Sequence, residues 1–225
     1  MGARAFVWLG GATFVVSLGV CAWSYAVVMG RPATPSGWPP VVIDALLITI
    51  FACHHSLFAR DRVKTWLARR VASSLLRSVY VWIASLLLIL ACVLWRPIGG
   101  SLYAATGMVR LACAAVQLTG VVITALGVAR IDPLELAGIR PATRAEGLQV
   151  TGPYRWVRHP LYFGWVLIVF GAAHMTGDRL AFAAITTLYL AIAIPWEERS
   201  LRQSFGEAYA QYQRAVRWRM IPFIY

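Results

Sequence analysis

The sequence RHPLYFGWVLIVFGAAHMTGDRLAFAAITTLYLAIAIPWEE, residues 158–198, decides the fold of this chain. It contains two apolar arms, Leu161 to Met175 and Leu180 to Pro195, on either side of a polar turn at Asp178. Each arm, if helical, rises about 1.5 Å per residue and nearly crosses a bilayer core of about 30 Å. A symmetric hairpin therefore returns the basic start of the segment and its acidic end to one membrane surface.

The composition predicts a membrane protein, because 60% of the 225 residues are hydrophobic and only 13% are charged. The apolar residues form long blocks, and four of these blocks precede the hairpin: Ala5 to Met29, Val41 to Phe58, Val79 to Trp95 and Met108 to Ala129. Together with the two arms they predict about six transmembrane helices. The expected fold is all-α, a polytopic integral membrane protein with a C-terminal helical hairpin.

The cationic residues are distributed unevenly between the two predicted membrane surfaces. Of the 21 Lys and Arg residues, all but four lie on one side, and the exceptions are Arg31, Arg96, Arg110 and Arg179. Because cytoplasmic loops carry an excess of Lys and Arg, we expect both termini to be cytoplasmic. The net charge of +12 fits this topology and contact with anionic membrane lipids, and no nucleic acid partner is expected.

The potential metal ligands do not form a recognisable site. The four cysteines lie singly in different spans, so neither disulfides nor a zinc site is predicted: Cys21, Cys53, Cys92 and Cys113. His54 and His55 close the second apolar block and permit three interpretations. They are satisfied by neighbours or headgroups at the interface, line a substrate portal, or bind a haem or metal ion. No carboxylate or spaced third ligand accompanies them, and no metal site is predicted.

The segment Arg130 to Gln149 is too polar to span a membrane and contains the acidic residues Asp132, Glu135 and Glu146. It predicts a cytosolic flap. Two roles remain open for this flap, a cap over a bound ligand and an ordinary surface connector.

The basic end of the hairpin has the features of an anion site. Pro160 suits the first position of a helix, where its missing N–H is not needed. The positive end of the helix dipole, with Arg158 beside it, can hold a carboxylate or phosphate. Tyr162 follows His159 by three residues and shares its helix face.

The acidic end, Glu197 and Glu198, offers acceptors for an ammonium group or ribose hydroxyls. Facing the basic end, it matches a ligand with both an α-carboxylate and an α-amino group, which favours an amino-acid-like cofactor over a plain nucleotide. In the alternative interpretation, Arg158 simply pairs with one of the two glutamates. The pattern identifies no catalytic residue.

A cytosolic amphipathic helix is predicted after the hairpin. Its apolar residues recur at helical spacing: Leu201, Phe205, Tyr209, Tyr212 and Val216. This helix either covers the basic and acidic ends of the hairpin or lies at the membrane interface.

Three ordered motifs resemble a known superfamily: GPYRWVRHPLYFG at residues 152–164, the pair Glu197-Glu198, and FGEAYAQY at residues 205–212. Together they resemble the isoprenylcysteine carboxyl methyltransferases and phospholipid methyltransferases, from about Gly147 to the C-terminus. In the first half, HSLFAR at residues 55–60, Lys64-x-Trp66 and RSVYV at residues 77–81 are similar to the bacterial membrane branch that contains methanethiol S-methyltransferases. The resemblance implies a multi-pass protein of the bacterial inner membrane.

The resemblance also implies an S-adenosyl-L-methionine-dependent methyltransferase. The cofactor is expected at His159, Tyr162 and the pair Glu197-Glu198, with Arg158 beside them, under the C-terminal segment. The acceptor is expected to be lipophilic or small and volatile, a thiol or a prenylcysteine-type carboxylate. The two alternatives are an NADPH-dependent reductase of sterol-reductase-like architecture and a non-catalytic membrane protein.

The predicted organisation is a single integral-membrane domain over residues 1–225. Residues 1–129 hold four spans, and residues 130–225 hold the flap, hairpin and final helix that form the cofactor site. The tail departs from the family pattern, because Arg217-Trp218-Arg219 follows Val216 where relatives often have Val-Pro. How this tail packs is therefore open.

Overall fold

The computed structural model describes residues 2–58, 61–130, 133–140 and 147–225. The described residues are mostly helical, and their two strands form one small sheet. Five helices are long and apolar enough to cross a membrane, and one further apolar helix is shorter. The all-α prediction is confirmed, and the chain is a multi-pass membrane protein.

The long apolar helices follow the order of the predicted apolar blocks, and the structure adds short helices and two strands that the sequence analysis did not predict. In chain order, the helices and strands are α1 (Gly2–Trp23), extended by a π-helical turn (Ser24–Val28), α2 (Pro39–Phe58), α3 (Asp61–Ala68), a 3₁₀ turn (Ser73–Leu75), α4 (Leu76–Val93), β1 (Ser101–Ala104), α5 (Gly107–Val128), α6 (Pro133–Leu136), a second 3₁₀ turn (Gly152–Arg155), α7 (Pro160–Phe170), β2 (His174–Thr176), α8 (Gly177–Phe205) and α9 (Glu207–Ala215).

The chain forms two compact units. Unit 1 contains α1 to α4, α6 and the first two residues of α8. Unit 2 contains β1, α5, α7, the remainder of α8, and α9. The fourth predicted span, α5, thus belongs to the unit that also holds the hairpin, where it packs against α7.

In unit 1, α4 packs against α1 and α2. The polar turn at Asp178 is held by its own carboxylate, which accepts hydrogen bonds from the Trp95 indole and from the backbone N–H groups of Ile98 and Gly99 at 2.8–2.9 Å. The three donors that the described residues supply to this buried carboxylate are neutral, so hydrogen bonds from uncharged groups hold the turn. Asp178, which the sequence analysis used only as a turn signal, therefore holds the turn in place through its side chain.

Residues 133–140 of the predicted flap belong to unit 1, whereas residues 130 and 147–149 belong to unit 2. The Arg77 side chain donates to the Glu135 carbonyl at 3.1 Å, and the Ser78 hydroxyl donates to the Gly138 carbonyl at 2.5 Å. Residues 131–132 and 141–146 of the flap, including Asp132 and Glu146, lie outside the described residues. Whether the flap covers a ligand stays a prediction.

The first arm of the hairpin differs from the prediction, because α7 ends at Phe170 and not near Met175. Its 11 residues rise about 16 Å. The chain then becomes extended and pairs with β1, where Ala105 N–H donates to the Ala173 carbonyl at 2.7 Å and the Tyr103 hydroxyl donates to the Ala172 carbonyl at 3.1 Å. An extended residue advances about 3.3 Å, twice as far as a helical one, so the arm keeps nearly the length of a full span. These bonds also satisfy backbone groups that the helix no longer pairs.

Two glycines bring α5 and α7 into close contact in unit 2. A Cβ atom added at Gly120 would lie 2.6 Å from the Gly164 carbonyl oxygen, and one added at Gly164 would lie 2.7 Å from the Gly120 oxygen. Only glycine fits at either position, because a carbon atom this close to a carbonyl oxygen overlaps it. The two backbones therefore touch without intervening side chains.

The second arm, α8, continues through Pro195 to Phe205. Proline has no N–H, so the carbonyl of Ala191, four residues earlier, loses its helical donor. The Tyr225 hydroxyl donates to this carbonyl at 3.3 Å. The tail of the chain thus supplies the hydrogen bond that the proline removes.

The prediction of a single amphipathic helix after the hairpin is wrong in one respect, because Gly206 divides this stretch between the end of α8 and α9. This glycine has φ +54°, a left-handed conformation that ends α8 and lets α9 begin in a new direction. The apolar pattern still packs as one cluster, in which Tyr209, Tyr212 and Val216 are buried and Leu201 and Phe205 lie against them. The periodicity identified the packed face correctly, while the break depends on one backbone conformation.

Candidate functional site

The corner at the start of α7 is fixed by the tail of the chain. His159 is the last residue before the helix, and Pro160 occupies the first helical position as predicted. The backbone N–H groups of Arg158 and His159 donate to the carbonyls of Trp218 and Arg219 at 2.9 and 2.8 Å. The segment 216–219, whose packing was left open, therefore runs alongside the corner and pairs with it through its backbone.

Arg158 forms a buried ion pair with Glu198. The Arg158 Nε atom lies 2.6 Å from Glu198 Oε1, and the two side chains are 7% and 6% exposed. The Arg158 Nη1 atom also donates to the carbonyls of Val216 and Arg217 at 2.7 and 2.8 Å. Of the two interpretations that the sequence left open for Arg158, the pairing with a glutamate is therefore observed. Its guanidinium joins α8 to the tail.

Glu197 is the accessible carboxylate of the corner, and it contacts Tyr162 and the buried His159. The Tyr162 hydroxyl donates to Glu197 Oε2 at 2.8 Å, and His159 Nδ1 lies 3.5 Å from the same oxygen. The His159 and Tyr162 rings stack with centroids 5.3 Å apart. The Glu197 side chain is 44% exposed, against 6% for Glu198. The adjacent glutamates therefore have different environments, because successive residues of a helix point about 100° apart.

The second oxygen of Glu198 binds two residues that sequence analysis did not assign to the site. Gln213 Nε2 donates to Glu198 Oε2 at 3.1 Å, and Arg219 Nε lies 3.5 Å from the same atom. Arg219 also donates to the Tyr225 hydroxyl at 3.0 Å, and its side chain is 38% exposed. No spacing signal pointed to Gln213, and Arg219 could have been found only as a cation near the family motif.

Two buried polar atoms of the corner have no hydrogen-bond partner among the described residues: His159 Nε2 and the Tyr209 hydroxyl. Glu198 is the polar group nearest to both: His159 Nε2 lies 3.5 Å from Glu198 Oε1, and the Tyr209 hydroxyl interacts with the same carboxylate. Burial and, next, the negative charge of Glu198 raise the pKa of Tyr209, so its phenol is neutral and can donate. Because buried polar groups are usually hydrogen-bonded, these two atoms are candidates for contact with a ligand.

Backbone donors at the start of α7 are already partly used. The N–H groups of Tyr162 and Phe163 both donate to the His159 carbonyl at 3.1 Å. Binding of an anion by this helix end is therefore weaker than the sequence suggested, and the partly exposed cation Arg219 is a better partner for a carboxylate. The corner can accept a cation at Glu197 and an anion at Arg219.

The structure thus brings together all five residues predicted to bind the cofactor. Arg158, His159, Tyr162, Glu197 and Glu198 are connected by contacts of 2.6–3.5 Å, all within unit 2. The hairpin prediction is correct in placing the basic and acidic ends side by side. Binding of a cofactor by these residues stays a prediction.

Comparison with known proteins places the corner in a matched region. A family model described as phospholipid methyltransferase matches residues 134–208. The chain is 36% and 34% identical to methanethiol S-methyltransferases 1 and 2 of Bradyrhizobium diazoefficiens, over 78% of its length in both cases. It is 35% identical, over 82% of its length, to a methanethiol S-methyltransferase of Crocosphaera subtropica. These alignments cover 65%, 71% and 75% of the respective relatives. No solved structure matches the chain significantly.

Proposed function

Because the chain belongs to the superfamily of isoprenylcysteine carboxyl methyltransferases and phospholipid methyltransferases, in the branch of the methanethiol S-methyltransferases, we propose that it transfers a methyl group from S-adenosyl-L-methionine to a small thiol. The observation that carries this proposal is the alignment with enzymes of that name, which extends over 82% of the chain. A prenylcysteine-type carboxylate, the other acceptor expected from the sequence, is the second candidate.

The groups at the corner fit the amino-acid part of this cofactor. Glu197 has an exposed carboxylate for the α-ammonium group, and Arg219 has a partly exposed guanidinium for the α-carboxylate. His159 and Tyr209 add the two buried polar atoms without hydrogen-bond partners. Tyr162 orients Glu197 through its hydroxyl. A carboxylate and a guanidinium side by side therefore match a zwitterionic amino acid better than they match a phosphate.

When bound, S-adenosyl-L-methionine supplies an electrophilic methyl group on a sulfonium. The residues described here bind and orient the donor, and such positioning can account for most of the catalysis. Arg158 and Glu198 hold the tail against α8, and the cluster of Tyr209, Tyr212 and Val216 keeps water from the buried side of the corner. An acceptor that reacts as a thiolate needs no dedicated base at the moment of transfer.

The membrane setting is consistent with this chemistry. We expect both termini and the corner to lie on the cytoplasmic side of a bacterial inner membrane, where the polar donor is available, because most of the Lys and Arg residues lie on the same predicted side. A small volatile or lipophilic acceptor reaches the protein through the lipid, which the exposed apolar faces of the long helices contact. The polar methyl donor and the apolar acceptor therefore reach the protein from different phases.

The proposed function is tested by supplying purified protein in liposomes with methyl-labelled S-adenosyl-L-methionine and methanethiol. Labelled dimethyl sulfide in the headspace is the expected product. A prenylcysteine analogue provides the second acceptor. Oxidation of NADPH without methyl transfer would favour the reductase alternative, and no turnover with any acceptor together with no binding of S-adenosylhomocysteine would favour a non-catalytic protein.

Arg219 provides a further prediction, because Arg217 is a matched control two residues away. Arg219→Ala removes the partly buried guanidinium and is expected to weaken S-adenosylhomocysteine binding about tenfold, the effect of one charge-assisted hydrogen bond. Arg217 is exposed and contributes only its carbonyl to the corner, so Arg217→Ala should bind normally. Isothermal titration measures both. Equal affinities for the two variants would exclude Arg219 as the carboxylate partner.

A further inference from the structure

His54 is a buried imidazole that the proposed function does not use. It lies near the end of α2 in unit 1, and only 9% of its surface is exposed. Neither of its ring nitrogens has a hydrogen-bond partner among the residues that the structure describes. A neutral imidazole carries one donor and one acceptor, so both are left without a partner. Such a group is costly to bury and calls for a functional explanation.

Aromatic side chains surround this imidazole. The Phe58 ring lies 4.5 Å from the His54 ring between centroids, and the Tyr80 ring lies 5.5 Å away and almost parallel. The Tyr80 hydroxyl is bonded to His55 Nδ1. The Arg77 guanidinium lies over the Tyr80 ring and donates to the Glu135 carbonyl. Aromatic carbon therefore covers the His54 ring among the described residues, and the polar groups next to it, His55 and Tyr80, are bonded to each other.

These features define the chemistry of a suitable ligand. It must be small and apolar and carry one group able to hydrogen-bond with an imidazole nitrogen. An alkanethiol meets both conditions, because its S–H is a weak donor and its polarisable sulfur packs well against aromatic rings. A metal ion is a poorer match, since the described residues contain no group of three or more His, Cys, Asp or Glu side chains able to hold one.

We propose that His54, Phe58 and Tyr80 form a binding site for a small alkanethiol in unit 1, in which the thiol S–H donates to an imidazole nitrogen. The proposal deepens the proposed function, on which it rests, by naming residues that bind its thiol substrate within unit 1. It needs no proton transfer or covalent step.

The test compares His54→Phe, which keeps an aromatic ring and removes both nitrogens, with His54→Gln, which keeps a hydrogen-bonding group. His54→Phe is expected to raise the KM for methanethiol about tenfold, the loss of one hydrogen bond. It should leave S-adenosylhomocysteine affinity unchanged and should not lower the Tm, because it removes a buried unsatisfied group. His54→Gln should retain a lower KM than His54→Phe. Ile50→Ala, on the exposed face of α2, serves as the control and should behave as the wild type.

An unchanged KM in His54→Phe, or a fall in its Tm and donor affinity together, would overturn the assignment. The proposed function fails differently, through the absence of methyl transfer by the wild type. In that case saturation-transfer NMR with ¹³C-methanethiol and protein in nanodiscs still decides this site. A saturation-transfer signal that is present in the wild type and lost in His54→Phe supports the thiol site. A signal of equal size in the wild type and in His54→Phe contradicts the site.

Discussion

Arg158→Met is expected to lower the free energy of unfolding by about 3–5 kcal/mol, because it leaves the Glu198 carboxylate buried without its main partner. The loss should be large, since Arg158 also satisfies the carbonyls of Val216 and Arg217. Methionine keeps much of the volume, so packing changes contribute little. Equilibrium unfolding in mixed micelles measures the effect, and S-adenosylhomocysteine binding should fall with it as the tail detaches.

An exposed ion pair of the same charge type provides the control. Arg214 pairs with Glu207 on α9, but the two side chains are 65% and 69% exposed. Water and salt screen such a pair, so Arg214→Met should cost no more than about 0.5 kcal/mol. If Arg158→Met were as mild as this control, the buried pair would not hold the corner together.

Glu197→Gln is expected to weaken S-adenosylhomocysteine binding about 30-fold or more, as is typical when one partner of a hydrogen-bonded charge pair that the ligand buries on binding is neutralised. The reason is that Glu197 is the accessible carboxylate of the corner, whereas Glu198 is buried and already bonded to Arg158. Glutamine preserves the shape and the contact with Tyr162, so the variant should fold normally. Isothermal titration gives the affinity and thermal melting gives the stability.

Glu207→Gln makes the same chemical change at an exposed position of α9 and should bind S-adenosylhomocysteine as the wild type does. Wild-type affinity in Glu197→Gln would refute the assignment of the ammonium group to this carboxylate. A loss of affinity accompanied by an equal loss in Glu207→Gln would instead indicate a general effect of net charge.

The hairpin and the meeting of its two ends could be predicted because they depend on length and polarity. Residue spacing placed His159 opposite Glu197, and the observed contact is 3.5 Å. The choice of partner for Arg158 could not be predicted. Adjacent helical residues point about 100° apart, and the rotation of α8 depends on how the helix passes Pro195, which no pattern specifies.

The contacts of the tail with the corner could not be predicted from the sequence for a different reason. The tail contacts the corner largely through backbone carbonyls, such as those of Trp218 and Arg219, and main-chain hydrogen bonds leave little signal in the identity of the side chains. The early end of α7 has a similar origin, because Ala172, Ala173 and Met175 fit a helix equally well. Pairing with β1, a contact distant in sequence, decides their conformation.

The touching backbones of α5 and α7 at Gly120 and Gly164 determine which half of the corner can move. Two helices in direct backbone contact cannot slide or tilt without a clash, so α7 presents His159 and Tyr162 as a stationary wall. We therefore expect any adjustment at the corner to fall to α9 and the segment after it. Amide hydrogen exchange should be slow along α7 and faster in α9. We expect the methyl donor to enter by displacement of the segment after α9.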